Sequence, residues 1–66
     1  MKVGDYVQVT TKQAFWARAR VTKLERGIAT LFYRTVFIDH GEVKQSNCYD
    51  QVVLAGAEVR VFDETR

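Results

Sequence analysis

The sequence has no proline, and a single cysteine, histidine and tryptophan serve all 66 residues. One cysteine cannot close an intrachain disulfide, and one cysteine with one histidine cannot complete a four-ligand zinc site. Small chains ordinarily depend on such a staple or on a very efficient core. A well-alternated sheet, or a partner, therefore has to supply the stability. Glycine is also scarce, at four, and no phosphate-cradling Gly-rich loop occurs. No paired-carboxylate motif and no nucleophile–histidine signature are present. An enzyme is not expected, nor any cofactor or metal. No apolar run approaches the roughly 20 residues needed to span a bilayer, and no signal-peptide pattern opens the chain. The expected setting is intracellular, cytoplasmic or nuclear, with no membrane partner.

What is present suits one small folded domain, with 47% hydrophobic and 27% charged residues. The net charge of +2 hides an asymmetry: residues 1–38 carry seven basic and two acidic side chains (+5), and residues 39–66 carry three and six (−3). The basic excess lies along Arg18, Arg20, Lys23, Arg26 and Arg34. Two readings stay open. These residues form a nucleic-acid patch, or they are the solvent-facing positions of strands.

The apolar period is mostly two, as half-buried strands require. Val7 and Val9 share a face. Ala17, Ala19 and Val21 share a face of the next strand, with Trp16, Arg18, Arg20 and Thr22 on the other. Ile28 to Ile38 is rich in β-branched and aromatic residues and long enough to expect a bulge near Tyr33-Arg34. Glu25-Arg26-Gly27 and Asp39-His40-Gly41 read as tight turns. Glu42 to Gln45 reads as a short strand with Val43 inward. Ser46-Asn47 caps a single helical turn reaching Val53, and Val59 and Val61 belong to a last strand. The expected fold is all-β. It is a small, five-stranded, strongly bent antiparallel SH3-like barrel with one short helical turn before the last strand. It forms one domain over residues 1–62, with a frayed tail at 63–66.

Phe15-Trp16-Ala17-Arg18-Ala19-Arg20-Val21, followed by Val36-Phe37-Ile38-Asp39-His40-Gly41-Glu42, resembles the paired sequence blocks of Tudor domains. The resemblance spans residues 3–54. It implies an SH3-like barrel that docks proteins or peptides, in many members through an aromatic cage for methylated arginine or lysine. Carried over by position, the cage falls on Thr11, Ala17, Phe37 and His40, with Glu42 as the polar member. Thr11 and Ala17 supply no ring, and Phe15 is the neighbour placed to fill part of the gap. With the cage incomplete, the expected ligand-binding group is Phe15, Phe37, His40 and Glu42. The expected function is an adaptor of RNA-processing, small-RNA (such as piRNA) or chromatin complexes. It docks a peptide or partner protein, Arg-rich and methylated in the fullest form of the resemblance.

Two alternatives stand beside it. One is an RNA- or DNA-binding β-barrel that uses the basic strand residues. The other is a homodimer or docking contact through Leu31, Phe32 and Tyr33, three large apolar residues in a row where a period of two buries only alternate members. Cys48 reads as a neutral structural thiol.

Overall fold

The computed structural model describes residues 1–62. The expected tail at 63–66 lies outside the described residues. Five antiparallel strands form a single sheet: β1 (Tyr6–Thr10), β2 (Phe15–Glu25), β3 (Ile28–Asp39), β4 (Glu42–Val53) and β5 (Glu58–Val61). Their order across the sheet is β4-β3-β2-β1-β5.

The first four strands form a meander because tight turns join them. Arg26 and Gly27 connect β2 to β3 with φ of 55° and 76°; His40 and Gly41 connect β3 to β4 with φ of 53° and 80°. Two successive left-handed residues are what a two-residue hairpin loop needs to match the strand twist. The β1–β2 loop is closed differently. Thr11 Oγ1 accepts the amides of Gln13 (3.2 Å) and Ala14 (3.0 Å).

β4 and β5 lie at opposite edges of the sheet, yet only Leu54 to Ala57 separates them. Four inter-strand steps in a flat sheet cover about 19 Å. Five residues of extended chain reach at most about 17–18 Å. The sheet is therefore curled, so that its edges approach. No ladder joins β4 to β5 among the described residues, so the curl stops short of closure. The expected helical turn is absent. β4 runs unbroken through Ser46–Val53 because each of those residues has a rung partner on β3, from Thr35 back to Ile28. A Leu54–Ala57 turn, closed by the Ala57 amide on the Leu54 carbonyl at 3.1 Å, takes its place.

The concave face carries the core: Val7, Val9, Ala19, Val21, Ala29, Leu31 and Val52 are all buried. Each sits at its period-two position. Irregularity falls in β2 rather than at Tyr33-Arg34. Val7 faces Ala19 while Val9 faces Trp16, and Val21 faces Leu31 while Lys23 faces Thr30. Each step leaves one extra residue on β2, a bulge that bends and twists the strand. Past Arg20↔Phe32, β2 follows β1 while β3 continues with β4. The far part of the β3–β4 hairpin therefore projects as a two-stranded ribbon. Val36, Ile38 and Val43 there are 64%, 73% and 70% exposed. Val43, expected inward, pairs with Ile38 near the ribbon tip, beyond the reach of β1 and β2.

Candidate functional site: a cleft between β2 and β3

The first β2 bulge decides where Trp16 points. Directly opposed residues of an antiparallel pair share a face, and Trp16 opposes the buried Val9. Trp16 is therefore on the concave side and packs against the core, contrary to the simple alternation that set it with Arg18 and Arg20. From there its indole Nε1–H donates to Asp50 Oδ2 at 3.1 Å. The Tyr33 hydroxyl donates to the same oxygen at 2.7 Å. Asp50 is on β4, opposite Leu31, so one carboxylate ties together three strands. The hydrogen bond to the Asp50 carboxylate is the main reason that the Tyr33 phenol is pushed up to about 12; loss of solvent and the nearby negative charge add to it.

Where β2 and β3 part, a cleft of about 430 Å³ opens, lined by Phe15, Trp16 and Arg18 on one side, Tyr33 and Arg34 on the other, and Asp50. Among the described residues the β2–β3 ladder starts at Arg20↔Phe32, so the two strands are not laddered to each other along the cleft. Aromatic surface, a fixed carboxylate and two strand edges thus share one opening. Arg18 and Arg34 are directed away from the carboxylate. The Arg18 guanidinium lies over the Tyr6 ring at 4.6 Å. The Arg34 Nε–H donates to Asn47 Oδ1 at 3.4 Å.

The residues named from the sequence are distributed over several places. Phe15 is exposed and lines the cleft. Phe37 is exposed on the ribbon, opposite Lys44. His40 is in the ribbon's turn, with Nδ1 3.5 Å from Asp39 Oδ1. Glu42 opposes Asp39 just after that turn. Phe37, His40 and Glu42 do not line the cleft. Thr11 is committed to its own loop.

Arg18, Arg20 and Arg34 line one groove, whereas Lys23 is paired with Glu25 at 3.2 Å and Arg26 is in the hairpin turn. Leu31-Phe32-Tyr33 does not form one surface. Leu31 is fully buried, which removes it from any interface, and Phe32 and Tyr33 occupy opposite faces of β3. Cys48 is a half-buried free thiol opposite Tyr33. No cluster of metal-ligating side chains occurs among the described residues.

Asp50 is the member that sequence reasoning missed. Its signal was a lone acidic residue between Tyr49 and Gln51 in a stretch of strand-forming residues, and reading that stretch as a helical turn obscured it.

No protein-family model, curated protein or solved structure matches this chain. Among the described residues no helix is long and apolar enough to cross a membrane.

Proposed function

We propose that the chain is a non-enzymatic protein-interaction module of Tudor type, which docks a peptide segment of a partner protein in the cleft between β2 and β3. The observation that carries this reading is the shared carboxylate: Asp50 Oδ2 receives both Trp16 and Tyr33 at the opening. A carboxylate held in place loses little side-chain freedom when a ligand arrives. The indole and phenol faces beside it add cation–π attraction of about 0.5–2 kcal/mol per ring for an arginine or lysine head group, methylated or not. The two strand edges, not laddered to each other along the cleft among the described residues, offer backbone hydrogen bonds to an extended segment.

The ring set differs from the one that the resemblance placed on Phe37 and His40. Phe15, Trp16 and Tyr33 take its place around Asp50. The curled sheet, with β5 returning to β1, supports a Tudor-like barrel left open along the β4–β5 seam. By the resemblance, the setting is an RNA-processing, small-RNA or chromatin complex.

Amide and indole NMR titration with peptides bearing unmodified arginine, symmetric dimethylarginine or methyl-lysine tests the proposal. Expected are shifts at the Trp16 indole, Tyr33 and Asp50, with the modification preferred by the cleft giving the largest. Silence of these signals toward all three peptides would refute peptide docking here.

A further inference from the structure

The convex face of the same sheet carries a second arrangement. Tyr6 opposes Arg20, Arg20 opposes Phe32, and Phe32 opposes Tyr49. Opposed residues share a face, so these four side chains form one transverse row across β1, β2, β3 and β4. Phe32 and Tyr49 have ring centroids 5.0 Å apart, and Tyr49 is 64% exposed. Arg18 lies over Tyr6 at one end of the row. Arg34 stands one period further along β3, on the same face as Phe32. Tyr6, Arg18, Arg20, Phe32 and Arg34 line a common groove of about 610 Å³, and among the described residues none of its lining is acidic. Among the described residues Arg20 and Arg34 make no ion pair with a carboxylate.

Packing of the core gives no reason for a row of rings on this face, Tyr49 exposed and Tyr6 and Phe32 half-buried, with the exposed guanidinium groups of Arg20 within it and Arg34 beside it. Each component has a counterpart in single-stranded nucleic acid. Exposed rings on a sheet face stack unpaired bases, and arginines that flank them meet the phosphates. We infer that the convex face binds single-stranded nucleic acid across the Tyr6–Arg20–Phe32–Tyr49 row, with Arg20 and Arg34 on the phosphates. An acidic peptide would use the arginines and leave the rings unused. A duplex hides its base faces. The observations therefore favour a single strand. The groove shares Arg18, Tyr33 and Arg34 with the lining of the concave cleft, whereas Arg20 and Tyr49 do not line that cleft, so variants at these two residues distinguish failure of this inference from failure of peptide docking.

The test is fluorescence anisotropy of the intact chain with labelled oligouridine and oligothymidine over a potassium chloride series. Two or three phosphate contacts give a slope of log affinity on log salt of about −1.4 to −2.1. Arg20→Gln is expected to lower the magnitude of the slope by about 0.7. Tyr49→Ala is expected to weaken binding roughly fivefold or more with the slope unchanged. Both residues are exposed, and an unchanged NMR spectrum elsewhere verifies the fold of each variant. Lys44→Gln, which removes one charge at the ribbon, is expected to leave affinity unchanged. Any one of three results would overturn the inference: no binding at low salt, equal losses in Lys44→Gln and Arg20→Gln, or equal competition by polyglutamate or by duplex.

Discussion

Tyr33 and Asp50, 17 positions apart in sequence, are joined by a 2.7 Å hydrogen bond from the phenol to the carboxylate. Tyr33 is on β3 and Asp50 on β4, diagonal to one another across the ladder. The bond orients the carboxylate that also receives Trp16 from β2. It thereby links the part of the sheet that follows β1 to the part that follows β4, at the place where the two diverge.

Neutralising the acceptor is expected to weaken its hold on both donors. In Asp50→Asn the Tyr33 titration midpoint falls from about 12 back toward its ordinary value near 10. Ultraviolet titration of the phenols, with Tyr33→Phe as the assignment control, reads this directly. A midpoint that stays near 12 would show that something other than the Asp50 carboxylate holds the proton.

The same bond makes stability depend on alkaline pH. Tyr33 is neutral when protonated, and folding raises its pKa from about 10 to about 12. Between those values the unfolded chain releases a proton that the folded chain retains, so stability falls as pH rises. The contribution is whole below about pH 10 and lost through about pH 12. Urea unfolding at successive alkaline pH values is expected to show this decline in the wild type and a shallower one in Tyr33→Phe. Parallel curves for the two proteins would contradict it.

Leu31 is the largest fully buried side chain among the described residues. Leu31→Ala is expected to cost about 2–5 kcal/mol. The whole domain has roughly 3–10 kcal/mol to lose. Chemical denaturation should therefore find this variant marginal or unfolded at room temperature. A loss under about 1 kcal/mol would mean that the core is looser than its burial indicates.

The β2–β3 turn should respond to backbone chemistry alone. Gly27 has φ of +76° and open space around a built Cβ. Gly27→Ala is thus expected to cost about 1–2 kcal/mol through the left-handed conformation rather than through a clash. Arg26, at φ 55°, is the converse case: Arg26→Asn is expected to gain up to about 1 kcal/mol, since asparagine–glycine is preferred in such loops. Urea midpoints measure both, and a neutral Gly27→Ala would show that the turn rearranges freely.

Much of the fold was legible from local pattern. Alternation places Val7, Val9, Ala19, Val21, Val59 and Val61 in strands, and a glycine after a turn-forming residue marks both hairpin turns. These features depend on neighbours in the chain. Local preference gives way where a distant strand outweighs it. Ser46-Asn47 favours a helix cap, but pairing along the whole of β3 kept residues 46–53 extended. Strict alternation turned Trp16 outward, and one extra residue in β2 turned it inward.

The sequence by itself determined an all-β chain, its hairpin turns and its buried valines, because a period of two and a left-handed turn residue are local properties of the backbone. Only the tertiary structure decided which residues share a surface. A bulge moves every side chain beyond it to the opposite face, and its position is set by pairing between strands. The curl of the sheet, imposed by the short link from β4 to β5, then brings Trp16 to Asp50 across 34 positions. It leaves Tyr6, Arg20, Phe32 and Tyr49 in a row on the other side.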